Sequence, residues 1–138
     1  LPLATGEALY SAHDFKRLSD ANGADIWQPD LTKCGGLRVG NEISTLARVS
    51  HVRVSPHVWG GAIGLAAALH FSAAQVPWPH TDNIPHPALF EYDQGDNILR
   101  DKLLKTPIPC VDGHLIVPMG PGLGIELNWE IVDKYRVV

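Results

Sequence analysis

The sequence has few cysteines, few charges of either sign and no long apolar run, and each shortage argues against a class of protein. Two cysteines in 138 residues cannot form a disulfide framework, so we expect a reducing compartment, the cytoplasm. The 11 basic residues are scattered and are outnumbered by 15 acidic ones, which argues against a nucleic-acid partner. The longest stretch without Asp, Glu, Lys or Arg, residues 54–81, is interrupted by proline and glycine, so we expect no membrane span.

The composition that remains is globular and of a size for about one domain. Hydrophobic residues make up 45% of the chain, charged residues 19%, and the formal net charge is −4. The sequence opens at Leu1, directly inside an apolar run. We therefore expect it to be the later part of a longer chain.

A unit of one short apolar strand followed by one helix recurs along the chain. The predicted strands cover residues 1–5, 24–28, 52–55 and 88–92, the last one after a proline-rich loop over 77–87. The predicted helices cover 12–21, the region around 39–47, and 62–75. This alternation predicts an α/β fold with a parallel sheet, either a small doubly wound sheet or half of a (β/α)₈-type barrel.

The last third of the chain, from Gly95 onward, breaks this rhythm. It is rich in proline and glycine, with one short predicted strand over 114–117 and a possible helical turn near 130–135. The pattern predicts an irregular lobe that packs on the strand and helix units.

One ionisable residue lies at the C-terminal end of each predicted strand: Glu7, Asp30, His57 and Glu91. The carboxyl ends of parallel strands meet at one edge of a sheet, where α/β proteins bind ligands. Each residue also has an ordinary interpretation: a solvated loop or helix cap for Glu7, a turn for Asp30, a half-buried imidazole for His57. Their recurrence in phase favours a shared site that holds a metal and performs acid/base chemistry.

The other polar features give weaker signals. The remaining histidines show no metal-ligand spacing, and His70 lies within a predicted helix, where a packing or surface role is expected. Cys34 precedes two glycines and is interpreted as a small buried residue rather than a nucleophile. The glycine-rich run over 120–124 lacks the strand-to-helix context of a phosphate loop, so we expect a loop with unusual backbone angles.

Several stretches of the sequence resemble the enolase superfamily, and more narrowly its mandelate racemase/muconate lactonizing enzyme branch, which includes acid-sugar dehydratases. These stretches are LATGE at 3–7, QPDLTKCGG at 28–36, SPHVWG at 55–60, EYDQ at 91–94 and GPGLGIE at 120–126. The resemblance implies the C-terminal half of a (β/α)₇β TIM-like barrel. Residues 1–93 would supply its strands five to eight, and residues 94–138 a C-terminal segment that packs with the capping domain.

The resemblance also implies a role for each strand-end residue. Glu7 matches a carboxylate ligand of Mg²⁺, and Asp30 with His57 matches a dyad in which the imidazole is the general acid or base. Glu91 matches a residue that donates a hydrogen bond to a substrate carboxylate, which requires Glu91 to be protonated.

The function implied is Mg²⁺-dependent removal of the proton next to a carboxylate, with dehydration of an acid sugar as the first expectation. Racemisation or epimerisation of a 2-hydroxy acid, and a non-catalytic truncated fragment, remain as alternatives. One carboxylate ligand binds Mg²⁺ poorly, so we expect the isolated chain to be inactive. Expected partners are an acid-sugar or 2-hydroxy-acid substrate and either the missing N-terminal half or another copy of the chain, in a homo-oligomer.

Overall fold

A computed structural model describes residues 1–77 and 88–137 of the chain. Its centre is a parallel sheet of three short strands in the order β1 (Ala4–Thr5), β2 (Ile26–Trp27) and β3 (Arg53–Val54). Ile26 is in register with Ala4 on one side and with Arg53 on the other. Because all three strands run the same way, the loops that follow them lie at one edge of the sheet.

Three helices connect and follow the strands: α1 (Ala12–Asp20), α2 (Gly36–Val49) and α3 (Ala62–Ala73). The start of α1 is fixed by Ser11, whose Oγ accepts a hydrogen bond from the Asp14 backbone N–H at 3.3 Å. Helix α2 follows Gly35, whose φ of 110° is one that glycine adopts without strain. No helix in the described ranges is long and apolar enough to cross a bilayer.

The core lies between the sheet and the helices. Phe15 of α1 and Trp27 of β2 are fully buried, with their ring centroids 5.4 Å apart. Ile43 of α2 and Phe71 of α3 complete the same cluster. Helix α3 is apolar on almost all sides, and six of its residues are buried, so it forms the most enclosed helix of this region.

The C-terminal part contains short elements: α4 (Ile98–Asp101), β4 (Cys110–Val111), β5 (His114–Leu115) and α5 (Trp129–Lys134). Strands β4 and β5 form an antiparallel hairpin. An isolated bridge pairs Leu104 with Leu127, next to an ion pair between Lys105 and Glu126. The loop before α5 is attached to α3, because Nε2 of His70 lies 3.0 Å from the Leu123 carbonyl oxygen.

The structure confirms the α/β class, the three predicted helices and three of the four predicted parallel strands, although the strands are shorter than expected. The prediction of a paired strand over 88–92 was wrong: these residues form no strand, and Leu89 is held through its carbonyl oxygen, which accepts a hydrogen bond from Ser55 Oγ at 3.0 Å. A hydrogen bond from the Ser55 side chain therefore replaces the backbone hydrogen bonds that a paired strand would make here. The predicted loop over 77–87 lies, beyond Pro77, outside the described residues.

Candidate functional site

Glu7 lies at the carboxyl edge of the sheet, where its position depends on the glycine before it. Gly6 is buried with φ +129°, and a Cβ at this position would lie 2.8 Å from Cε1 of Phe15. Only glycine therefore fits where the chain leaves β1 and passes over α1. The Glu7 side chain that follows is 59% exposed at this edge.

Asp30 follows β2, and its carboxylate is held by its own loop. Oδ1 accepts hydrogen bonds from the Thr32 backbone N–H at 2.8 Å and from Thr32 Oγ1 at 2.6 Å. Lys33 Nζ lies 3.4 Å from Oδ2. Asp30 is buried, so these three contacts compensate the cost of removing its charge from water.

His57 follows β3 and is buried at the centre of the edge. Its backbone N–H donates to the Pro29 carbonyl oxygen at 3.2 Å, which fixes the loop against the end of β2. Its Nδ1 lies 2.7 Å from Oε2 of Glu91 and 3.5 Å from Oε2 of Glu7. The structure thus brings three of the four predicted residues into direct contact, with the imidazole between two carboxylates.

The contact with Glu91 decides what the imidazole of His57 can do. When Glu91 is ionised its oxygen can only accept a hydrogen bond, so Nδ1 is then the donor. Nε2 of the neutral ring then holds a lone pair, and within residues 1–77 and 88–137 no hydrogen-bond partner reaches it. An imidazole oriented by a carboxylate at one nitrogen and open at the other is suited to general acid/base chemistry.

Asp30 and His57, the predicted dyad, line the same small cavity of about 20 Å³ together with Thr32 and Trp59. No hydrogen bond between them occurs among the described residues, since Asp30 is bound to Thr32 and His57 to Glu91. The pairing of Asp30 with His57 stays a prediction. The cavity has room for about one water molecule, and apolar residues such as Leu65 and Ala68 line it beside the polar ones, so it is not by itself a complete substrate pocket.

Sequence reasoning gave no role to Trp59, although it lies two residues after His57. Its indole borders the cavity and is 74% exposed. A large exposed aromatic side chain beside a cavity that Asp30 and His57 also line is the kind of residue that contacts a ligand. Its position after a strand-end histidine was the signal available in the sequence.

The weaker candidates from the sequence have structural roles. Cys34 is buried, and its burial is the main cause that raises the pKa of its thiol; the nearby charge of Asp30 raises it further. The thiol therefore stays protonated and unreactive at neutral pH. His70 attaches the glycine-rich loop to α3 through Leu123. Within that loop Gly124 has φ +69°, and a Cβ there would lie 2.8 Å from Pro118, so the loop needs glycine for its backbone, as predicted.

The described residues do not form a magnesium site by themselves. No three His, Cys, Asp or Glu side chains in the described ranges converge in a way that could hold a metal ion. Glu7 offers one exposed carboxylate, whereas Mg²⁺ requires an octahedral set of oxygen ligands.

A larger cavity, of about 520 Å³, lies away from this edge, near the start of β3. It is lined by Arg48 and Val52 and is bordered by Pro77 and Ala88. Because Pro77 and Ala88 flank the residues outside the described part, we assign this cavity no function.

Comparison with known proteins places the chain in a family. Residues 1–131 match the family model for enolase C-terminal domain-like proteins. D-galactarolactone cycloisomerase of Agrobacterium fabrum is 39% identical over 137 residues, which are 99% of this chain and 36% of that protein. D-galactonate dehydratase of Xanthomonas campestris pv. campestris is 32% identical over 141 residues, covering 97% of this chain and 34% of the relative.

Solved structures agree with the sequence matches. The crystal structure of the 3,6-anhydro-D-galactonate cycloisomerase of Zobellia galactanivorans superposes with a TM-score of 0.84 at 36% identity, covering 98% of this chain and 36% of that one. The chain thus spans about a third of the length of the relatives it matches. The match of the family model over residues 1–131 shows that the chain belongs to the enolase C-terminal domain-like family.

Proposed function

We propose that this chain is the C-terminal part of an enzyme that removes the proton next to the carboxylate of an acid sugar, and that the complete enzyme is a dehydratase. The observation that carries the proposal is the contact of His57 Nδ1 with Glu91 at 2.7 Å, at the carboxyl edge of a parallel sheet. The names of the relatives support the substrate class, since they refer to galactonate and to a galactarolactone.

In this proposal His57 transfers protons through Nε2. Loss of water from an acid sugar requires a base that takes the proton next to the carboxylate and an acid that gives a proton to the departing 3-hydroxyl group. Neutral His57 can accept a proton at Nε2, and protonated His57 can return it. In its ionised form Glu91 stabilises the imidazolium that forms, because its carboxylate faces Nδ1. The other role of Glu91, a hydrogen bond donated from its protonated form to a substrate carboxylate, stays a prediction.

The remaining assignments are proposed for the complete enzyme. Glu7 is one carboxylate ligand of Mg²⁺, and Asp30 is a second group that tunes the basicity of the imidazole. Residues 94–138 form a C-terminal segment that packs with a capping domain. The complete enzyme is a cytoplasmic homo-oligomer, and its ligand set and substrate pocket are completed by an N-terminal half.

A second candidate function is cycloisomerisation of an acid-sugar lactone or anhydro sugar. Sequence identity favours this function, because the two cycloisomerases are 39% and 36% identical to the chain and the dehydratase is 32% identical. Product analysis separates the two: dehydration releases water and yields a 2-keto-3-deoxy acid, whereas an isomerase product keeps the mass of the substrate. Exchange of the proton next to the carboxylate with deuterated solvent, without either product, would indicate racemisation or epimerisation instead.

The test is the substitution His57→Asn in the full-length enzyme, assayed with galactonate and galactarolactone. Loss of a general acid/base lowers the rate by about 10²–10⁴-fold. Mg²⁺ binding should remain nearly unchanged, because His57 is not the proposed ligand, whereas Glu7→Gln should weaken it. His114→Asn is the matched control, since His114 is exposed and its Nδ1 lies against the Asp112 carbonyl oxygen of its own hairpin turn. Normal turnover by His57→Asn would refute the proposal.

A further inference from the structure

The position of Glu91 is not fixed by strand pairing. The residues around it, 88–92, form no strand, and the described contact of Ser55 Oγ with the Leu89 carbonyl oxygen lies two residues before Glu91. A carboxylate on an unpaired segment must be held by other contacts if it is to stay 2.7 Å from His57. Those contacts lie on the segment directly after Glu91.

Arg100 binds this segment through its whole guanidinium group. Nη1 donates to the Asp93 carbonyl oxygen at 2.6 Å and to Asp93 Oδ2 at 3.0 Å, and Nη2 donates to the Gly95 carbonyl oxygen at 2.7 Å. The Arg100 side chain is only 11% exposed. A planar guanidinium bound to two backbone carbonyls and a carboxylate fixes the course of the chain it contacts.

Further contacts hold Arg100 itself in place. Nε and Nη2 donate to the two carboxylate oxygens of Asp101 at 2.7 and 3.0 Å. The guanidinium carbon lies 5.7 Å from the centre of the Tyr92 ring, the residue next to Glu91. The hydrogen bonds to Asp101 are the main cause that raises the pKa of Arg100, so the group is always charged.

Asn97 connects this arrangement to the loop that carries His57. Its Nδ2 donates to the Gly60 carbonyl oxygen at 3.1 Å, three residues after His57. Its Oδ1 accepts from the backbone N–H groups of Leu99 and Arg100, both at 3.1 Å, and so forms the cap of α4. The segment after Glu91 and the loop after His57 are therefore joined through one side chain.

We propose that Arg100 and Asn97 are positioning residues that hold Glu91 within hydrogen-bond distance of His57. The inference rests on the proposed function of His57 and adds the residues on which its orientation depends. Neither side chain touches the imidazole. They act by fixing the two backbone segments from which Glu91 and His57 extend.

The first test is Arg100→Gln in the full-length enzyme, with Arg136→Gln as the matched control. Arg136 is an exposed arginine of the same C-terminal part and binds one carboxylate, that of Asp133. A small displacement of a catalytic group lowers a rate by on the order of 10- to 100-fold. We expect kcat to fall by that factor for Arg100→Gln with KM little changed. The crystal structure of the variant should show Glu91 beyond hydrogen-bond distance of His57, and the control should show neither effect.

Two further variants separate positioning from folding. Asn97→Asp keeps the acceptor that caps α4 but removes the N–H donor to Gly60, so we expect a lower kcat at an unchanged melting temperature. Arg100→Lys keeps the charge but cannot reach the same set of acceptors, so we expect only slight recovery of kcat.

Unchanged kcat and an intact contact between His57 and Glu91 in both Arg100→Gln and Asn97→Asp would overturn the inference. Full recovery of kcat by Arg100→Lys would also overturn it, since charge alone would then suffice. If His57→Asn remains inactive in that case, only the positioning role fails. If His57→Asn is active, the proposed function fails independently of Arg100.

Discussion

The part of the chain before residue 78 and the part after residue 87 are held together by different forces. Of the 13 buried apolar residues in the described ranges, 12 belong to the first part, and Leu104 is the one in the second. The first part is therefore a packed core of helices on a sheet. The second part depends on hydrogen bonds and ion pairs, such as those of Arg100, Asn97 and Lys105.

This difference matters because the candidate site takes one group from each part. His57 extends from the packed part, where its backbone is bonded to the end of β2 through Pro29. Glu91 extends from the part held by polar contacts. Apolar burial tolerates small shifts of its neighbours, whereas hydrogen bonds weaken steeply when their geometry changes. We therefore expect the orientation of the imidazole to be more sensitive to substitutions after residue 87 than to surface substitutions before residue 78.

The largest stability effect should come from the packed part. Trp27→Ala removes a fully buried indole that packs on Phe15, and a substitution of this kind lowers the free energy of unfolding by about 3–5 kcal/mol. Trp129→Ala is the control, because Trp129 is 59% exposed, and it should change that free energy by less than about 0.5 kcal/mol. Denaturant titration of the full-length variants measures both. Equal effects would contradict the division into a packed and a polar part.

A smaller effect should arise at the start of α1. Ser11 Oγ accepts from the Asp14 N–H and donates to Asp14 Oδ2 at 2.8 Å, so Ser11→Ala should lower the free energy of unfolding by about 1 kcal/mol. The same hydrogen bond is the main cause that lowers the pKa of Asp14 below its ordinary value of 3.8. A carboxyl group whose pKa is lower in the folded state stabilises that state at any pH above its pKa in the unfolded chain. This stabilisation is lost as the pH falls through the pKa of the folded state.

The difference between wild type and Ser11→Ala should consequently shrink in acid. Thermal unfolding of both proteins at about pH 7 and about pH 3 measures it. A difference that grows at the lower pH would show that the Asp14 carboxylate does not take part in the cap.

The smallest effect is expected for an exposed ion pair of the second part. Lys105 and Glu126 pair beside the bridge between Leu104 and Leu127, and both side chains are more than half exposed. Such pairs contribute about 0.2–1 kcal/mol and are screened by salt. A double-mutant cycle of Lys105→Met and Glu126→Gln at low and high salt should give a coupling energy in this range that decreases with salt. A salt-independent coupling would mean that the pair is effectively buried.

The sequence predicted the packed part well because apolar residues recur there with the period of the elements. Helix α1 was predicted over residues 12–21, and it spans Ala12–Asp20, because the apolar positions recur there with the helical period. The cap at Ser11 was not predicted. In the second part the predicted strand over 114–117 and the predicted helical turn near 130–135 are confirmed as β5 and α5, although β5 is shorter than expected. Helix α4 and strand β4 were missed, because the contacts that stabilise them are single hydrogen bonds between residues at irregular spacings.

The site shows the same limit. The order of strands and helices is enough to predict that Glu7, Asp30 and His57 follow strands at one edge of the sheet. Glu91 reaches the same edge from a segment that forms no strand. The order of elements does not determine which carboxylate faces Nδ1 of His57, because that depends on the rotamers of side chains from three separate loops. In the structure the carboxylate is that of Glu91, and Asp30 is bound by Thr32 and Lys33.

The central claim is that His57 and Glu91 act as one proton-transferring pair, and the most direct measurement is a double-mutant cycle on kcat in the full-length enzyme. His57→Asn, Glu91→Gln and the double variant are compared with the wild type. Residues that act as a unit show strongly non-additive effects, so the double variant should be about as slow as His57→Asn alone. If the two single losses instead multiply in the double variant, the groups act independently and the pairing seen at 2.7 Å is not part of the chemistry.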